Sequence, residues 1–340
     1  MGDASGSGSL ASKVRRLYEE FGQRKDMGRS SESTRKPHFF LLRTFMAEND
    51  LLIILNTKRC RYSCPFCTLP WKSSKEWIEP QDIVTQFEFA ATEVKHALSI
   101  VDRVTLSNEG SVLDAGTLAT DALLTIADAI QELRRVRMLV LETRLEFVDS
   151  LVICELQRAT RRATVNILTG FETLNVDIRD NILSKEESLD RFLAGLDRVA
   201  ECGAEFSSYV LFKPDPAMTD YEGTKEAEST IDFLANECAR RRIPLTIRLN
   251  PMYLARGSKW GDLAHATTEY RPPRLTDVMK LAEKKRREGI RIYIGLSTEG
   301  LDEPLGTYMA REDYSSQLIG PVKAFNDGKI AMFDWGRLSA

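Results

Sequence analysis

The residues best suited to chemistry lie in one short stretch, Asn56 to Trp71, which carries Cys60, Cys64 and Cys67 at C-x3-C-x2-C spacing. Three thiolates on one loop can hold three irons of a [4Fe–4S] cube and leave the fourth iron open. An open iron lets a cluster bind and reduce a ligand instead of only storing an electron. A structural zinc site would need a fourth ligand, usually from a second pair. The other cysteines, Cys154, Cys202 and Cys238, stand singly, and the histidines, His38, His96 and His265, form no second pair. Six cysteines in 340 residues are too few for a disulfide scaffold. Their distribution is that of a metal or redox site in a reducing compartment.

Something must position that loop. Apolar strand-like runs occur at 51–55, 103–106, 138–141, 164–168, 206–212, 245–249 and 290–296. Between them, helical periodicity covers 80–98, 118–135, 147–158, 188–202, 221–241 and 275–287. Such alternation predicts an α/β fold with a parallel sheet, closing at this length into a partial or full (β/α) barrel. The competing doubly wound sheet lacks its usual support, because no G-x-G-x-x-G follows the first strand and no phosphate-binding G-x-x-x-x-G-K-[ST] occurs. The cysteines directly follow the first strand, at what would be the C-terminal mouth of the barrel, where such folds build their sites. Residues 1–36, rich in Gly, Ser and basic side chains, read as a flexible leader; 37–300 read as the barrel core and 301–340 as a C-terminal extension.

Composition narrows the function. Forty-seven Lys and Arg against fifty Asp and Glu leave a net charge of −3, which draws the chain to neither nucleic acid nor anionic lipid. The basic runs 240–242 and 284–287 sit at predicted helix ends, where cations match the helix dipole, and no aromatics interleave them. No apolar run is long enough to span a bilayer. The first ten residues lack the basic and apolar regions of a secretory signal, so a cytoplasmic location is expected. No G-x-S-x-G and no histidine triad supports hydrolysis.

The Cys60-x3-Cys64-x2-Cys67 motif, with Phe66 before its last cysteine and a strand before its first, resembles the radical S-adenosylmethionine (SAM) superfamily. Further stretches resemble the branch containing the Elongator catalytic subunit and the archaeosine synthase radical subunit. These are Ser107 to Asp114 after the second strand, Leu141 to Arg144 after the third, and Val165 to Glu172 along the fourth. Leu211 to Pro214 and Tyr270 to Pro273 extend the likeness, which spans residues 40–290. It implies that Cys60, Cys64 and Cys67 ligate a [4Fe–4S] cluster that binds SAM and cleaves it reductively to a 5′-deoxyadenosyl radical. It also implies that Glu109 or the backbone near Gly110 meets the SAM ammonium, Arg144 its carboxylate, Phe66 its adenine and Glu142 a ribose hydroxyl or the ammonium. Gly170 and Glu172 close the fourth-strand segment of the same cofactor site.

Substrate-side residues belong at the later strand ends, a test that Lys213, Arg248, Asn250 and Tyr253 meet by position. Arg248 and Asn250 alternate along one strand, so both can face inward, and an inward Arg needs an acidic partner or an anionic ligand. Tyr209 and Tyr253 are candidate hydrogen-atom donors, whereas Cys154, Cys202 and Cys238 fall on helices and read as packing residues. The expected activity is hydrogen abstraction from a small nucleoside-like or sugar-containing metabolite, with an external one-electron donor of the flavodoxin or ferredoxin type. Three alternatives stand beside it: a radical C–N lyase on a modified tRNA base with a partner subunit, a radical epimerase of a sugar or nucleoside carbon, and a non-catalytic iron–sulfur or zinc module.

Overall fold

The computed structural model describes residues 33–62, 64, 66–67, 73–108, 110–255, 260–261, 271–296, 307–308 and 315–338. The leader through residue 32 and Glu109 lie outside them, as do parts of the cysteine loop and much of the segment before and after residue 300.

Each apolar run becomes a strand: β2 Glu48–Ile54, β3 Arg103–Ser107, β4 Met138–Glu142, β5 Thr164–Glu172, β6 Glu205–Phe212, β7 Leu245–Pro251 and β9 Arg291–Ile294. All seven run parallel, and with an eighth strand, β1 Phe39–Phe45, they form one sheet in the order β1-β2-β3-β4-β5-β6-β7-β9. The sheet has two edges, so the (β/α) barrel is partial. A separate two-residue pairing joins β8 Leu254–Ala255 to β10 Thr307–Tyr308.

Strand β1 was not expected from the sequence. It pairs antiparallel with β2, with Phe45 opposite Glu48, through a two-residue turn at Met46 and Ala47. Both turn residues have positive φ, 51° and 66°, a geometry that usually calls for Asn or Gly. With Met and Ala there instead, the hairpin carries no turn signal.

The helices follow the periodicity, with shorter ends: α1 Pro80–Glu93, α2 Thr120–Gln131, α3 Ser150–Thr160, α4 Leu189–Glu201, α5 Asp220–Arg241 and α6 Leu275–Arg287. The side chain of Asp149 caps α3 and that of Ser188 caps α4, while Thr219 and Glu222 form a reciprocal capping box on α5. Alternate strand residues, among them Leu51, Ile53, Val104, Leu106, Leu139, Leu141, Ile247 and Leu249, join the helices in one apolar core. The opposite face of the sheet carries Asp50, Arg103, Thr105, Asn166, Ser207 and Arg248, all buried.

The chain after residue 315 shares that core. Helix α7, Ser316–Asn326, contributes Leu318, Val322 and Phe325 to it. Asn326 pairs with the edge strand β9: its side-chain oxygen accepts from Ile294 N–H and its amide donates to Ile294 C=O, both at 2.8 Å. Buried Glu283 accepts from Phe333 N–H at 2.9 Å and Trp335 Nε1 at 3.0 Å, fastening the last turns.

Cys238 is buried in the apolar core. Cys154 and Cys202, far apart in sequence, meet where α3 passes the end of α4, with their sulfurs 3.0 Å apart. Burial pushes both the Cys202 and the Cys238 thiol up to about 12, helped at Cys202 by the Cys154 contact. A thiol with that pKa is about one part in ten thousand thiolate at pH 8, so iodoacetamide should leave both unmodified until the protein is denatured, as read by peptide mass spectrometry.

Helix α4 packs so closely on the turn before α3 that a Cβ on Gly195 would stand 2.6 Å from Leu145 Cβ and 2.8 Å from its carbonyl oxygen. Gly195→Ala should therefore destabilise by about 1–3 kcal/mol, outweighing alanine's helix preference. Urea unfolding should show a lower midpoint at an unchanged slope.

Candidate active site

The cysteine loop leaves β2 at its C-terminal end and is pinned at both ends. Gln86 of α1, fully buried, accepts from Asn56 N–H at 2.7 Å and donates to Asn56 C=O at 2.9 Å and Thr34 C=O at 2.7 Å. Fifteen to twenty residues on, the chain returns alongside itself: Lys58 bridges Ser74, Arg59 N–H donates to Ser74 C=O at 2.8 Å, and Ser74 N–H donates to Thr57 C=O at 3.2 Å. Inside this closure, Cys67 N–H donates to Cys64 C=O at 3.1 Å, turning the chain between two of the cysteines.

Cys60, Cys64 and Cys67 are thiols outside any disulfide, and all three are partly exposed. Burial raises the Cys60 and Cys64 thiols, while Arg144 and Lys185 pull both the other way. Among the described residues, no three His, Cys, Asp or Glu side chains converge on a point that could hold one metal ion. Three thiols spread along one loop, beside two cations, fit a multi-iron cube in which each thiolate takes its own iron, and the cations offset the charge of the thiolates.

The loop after β3 presses on the first cysteine. A Cβ on Gly110 would come within 3.1 Å of Cys60 Cβ, so glycine permits this approach. Buried Asn108 holds that loop, donating to Thr57 Oγ1 at 3.2 Å and to Ser111 C=O at 3.3 Å. Ser111 Oγ in turn accepts from Arg144 N–H at 3.0 Å, tying the ends of β3 and β4 together.

Arg144 is buried and heavily engaged. Its Nε donates to Glu146 at 2.6 Å, Nη1 to Lys185 C=O at 2.7 Å and Nη2 to Glu186 C=O at 3.3 Å. Its guanidinium carbon lies 3.8 Å from the centre of the Tyr62 ring, and Tyr62 Oη donates to Glu146 at 2.5 Å. Burial pulls the guanidinium down, but Glu187 and Glu146 more than compensate and raise it. Three of its five N–H groups are spent on protein, leaving two for a ligand.

Strand β5 ends in Gly170 and Glu172 across a bulge. Buried Glu172 lies 3.5 Å from Lys185 Nζ; burial raises its carboxyl, and Lys185 opposes that. The Glu172 carboxylate lies against Gly170, where a Cβ would stand 2.0 Å from Oε1 and push the side chain off its place beside Lys185. Glu172, Ser184, Glu186 and Lys213 all adopt positive φ at the ends of β5 and β6 or in the segment after β5. Strained non-glycine backbone of this kind gathers at functional sites.

The structure brings Cys60, Cys64, Gly110, Arg144, Gly170 and Glu172 into one neighbourhood. It adds Tyr62, Glu146, Lys185 and Glu187, which no motif in the sequence singles out. Phe66 packs against the apolar cluster that holds Ile178, Leu183, Leu211 and Trp260, its ring 6.1 Å from that of Trp260. Glu142 ends β4, where its carbonyl accepts from Val112 N–H at 3.0 Å.

Of the substrate-side residues, Tyr209 and Arg248 face each other inside the barrel, Arg248 Nη1 donating to Tyr209 Oη at 3.3 Å. Asn250 lies against β9's end, where a Cβ on Gly295 would stand 2.1 Å from its side-chain oxygen. Tyr253 follows β7, its N–H donating to Pro251 C=O at 2.8 Å. Lys213 instead fastens two neighbouring segments. It is buried, donates to Arg271 C=O at 2.8 Å and lies 3.5 Å from Asp220.

No protein-family profile matches the chain. It is 24% identical over 274 residues to an uncharacterized protein of Methanocaldococcus jannaschii, covering 79% of this chain and 73% of the relative. It is 24% identical over 282 residues to archaeosine synthase subunit beta of Thermococcus kodakarensis, covering 81% of this chain and 84% of the relative. Among solved structures, a spore photoproduct lyase variant superposes with a TM-score of 0.54 at 15% identity, over 84% of this chain and 95% of that one. Another variant of that lyase, solved with AdoMet and dinucleoside spore photoproduct, gives 0.51 at 14% identity over 93% and 91%.

The cysteine loop depends on Gln86. Gln86→Leu removes a three-bond anchor that would cost about 1–3 kcal/mol locally to leave unmade. The barrel should keep its circular-dichroism spectrum while trypsin cleaves after Lys58, Arg59 or Arg61 at least about fivefold faster.

Proposed function

We propose, from a chain with the fold of the radical SAM enzymes and their cysteine motif, that the protein is a radical SAM enzyme acting on a nucleoside-like or sugar-containing small molecule. The observation that carries this reading is the C-x3-C-x2-C loop, pinned at the C-terminal mouth of an open parallel half-barrel whose inner face buries Asp50, Arg103, Asn166 and Arg248 beside apolar side chains. A [4Fe–4S] cluster held by Cys60, Cys64 and Cys67, with bound SAM, would supply a 5′-deoxyadenosyl radical able to abstract hydrogen from unactivated carbon.

The chain's own residues do the rest. Gly110 lets the β3 loop close on Cys60, and Ser111 fixes the backbone of Arg144. Arg144 and Lys185 are the cations suited to a ligand carboxylate, while Glu142, Glu172 and Glu187 suit an ammonium or ribose hydroxyls. Buried walls around Leu211, Met252 and Trp260 limit water at the mouth. Reductive cleavage of SAM consumes one electron, which an external one-electron donor would supply.

A second reading is supported by one relative. The alignment with archaeosine synthase subunit beta spans most of both chains, which favours a C–N lyase acting on a tRNA base with a partner subunit. The net charge of −3 weighs toward a small substrate.

Anaerobic reconstitution with iron and sulfide, then dithionite and SAM, should yield 5′-deoxyadenosine detectable by mass spectrometry. Free nucleosides should stimulate its formation more than bulk tRNA; the reverse order, abolished by salt, would favour the second reading. Cys64→Ala should lose bound iron and 5′-deoxyadenosine together. Bound zinc in place of iron, with no SAM binding, would overturn the assignment.

A further inference from the structure

Arg248 sits in the middle of β7, with Ile247 and Leu249 directed into the helix-side core, so its side chain enters the barrel interior. Only 5% of it is exposed. Its surroundings satisfy one part of the guanidinium. Nη1 donates to Tyr209 Oη at 3.3 Å, and the guanidinium carbon lies 4.3 Å from the Phe45 ring centre and 5.5 Å from that of Tyr209.

The remaining edge is bare. Nε and Nη2 are both buried without a hydrogen-bond partner among the described residues. These two nitrogens present parallel N–H groups along one side of the guanidinium, the fork that accepts two oxygens of a carboxylate or phosphate.

The nearby acids are already committed. Both oxygens of Asp50 are taken: Oδ2 by Arg43 at 3.0 Å, and Oδ1 by Thr105 Oγ1 at 2.7 Å and Arg103 Nε at 3.6 Å. Glu48 lies 3.4 Å from Arg103 Nη1. Arg103, 4.5 Å from the same Phe45 ring, is pulled down to about 10, first by burial and, against the opposing Asp50, by the charge of Arg248. Arg248 is thus the surplus cation of this cluster, with no ion pair among the described residues. A buried charge left this way is costly unless a ligand completes it.

We propose that the Nε–Nη2 edge of Arg248, oriented by Tyr209 and backed by Phe45, is a binding subsite for an oxyanion of the substrate, a carboxylate or a phosphate. The inference rests on the radical SAM reading only in treating the barrel interior as the substrate chamber. Phe45 ends β1 and pairs with Glu48 at the start of β2, whereas the cysteine loop follows the end of β2. The anion therefore marks the end of the substrate remote from the cysteines, and the reacting carbon lies between the two.

The test is nuclear magnetic resonance on 15N-labelled protein, titrated separately with inorganic phosphate and with acetate at constant ionic strength, before and after cluster reconstitution. The Arg248 Nε–Hε signal, assigned by its loss in Arg248→Lys, should shift saturably with at least one anion, together with the backbone amides of Tyr209 and Asn250. Phosphate preference indicates a phosphorylated ligand, and acetate preference a carboxylate ligand. Arg248→Lys keeps the charge but loses the fork, so it should bind at least about tenfold more weakly. If that variant does not fold, the signal is assigned instead by through-bond correlation along the wild-type Arg248 side chain, and the wild-type titration decides. No saturable shift with either anion, or equal binding by Arg248→Lys, overturns the subsite. A protein that binds the anion but assembles no iron cluster would instead refute the radical SAM reading and leave the subsite standing.

Discussion

A parallel sheet covered by helices ordinarily buries apolar side chains on both faces. Here the two faces differ in kind. The helix side is packed with Leu, Ile, Val and Phe, while the inner side buries Asp50, Arg103, Asn166, Ser207 and Arg248. Each polar group there must find a partner or be held ready for one, because an unpaired charge in that setting costs several kcal/mol. The pairing of Arg43, Arg103 and Thr105 with Asp50, and of Lys185 with Glu172, answers that constraint. The apolar side supplies the stability that lets the inner face carry so much polarity.

The same constraint explains how the cysteine loop is held. The three-cysteine loop rests Phe66 on the apolar cluster around Trp260. Its ends are held through backbone groups, with Gln86 at its start and the Thr57–Ser74 bridge across its base. Asn108 and Ser111 extend the lattice to Arg144, so the ends of β2, β3 and β4 behave as one polar scaffold.

Much of this was legible in sequence because its signals are local. Every parallel strand showed as an apolar run and helices α1 to α6 as periods, and the cysteine spacing singled out the loop that the fold places at the end of β2. Alternation along one strand was enough to turn Arg248 inward. Strand β1 escaped because its turn uses Met46 and Ala47 at positive φ, so nothing marked the reversal. Lys185 and Glu187 escaped for another reason: they lie in an irregular segment between β5 and α4, and only tertiary folding brings them to Arg144 and Glu172. Lys213 shows the converse, a residue whose place at a strand end was readable but whose engagement with Arg271 and Asp220 was not.

A sheet that stops short of closing leaves a last strand with unspent backbone groups, an open invitation to pair with another chain. On β9 that invitation is withdrawn by two side chains. Arg286 Nη2 donates to Ile292 C=O at 2.9 Å, and Asn326 offers Ile294 the same donor and acceptor that a neighbouring strand would. The amide thus imitates one residue of a ninth strand, at the place where the ladder would otherwise continue. It gives helix α7 a role beyond covering the core: it fills the seat that a further strand would need.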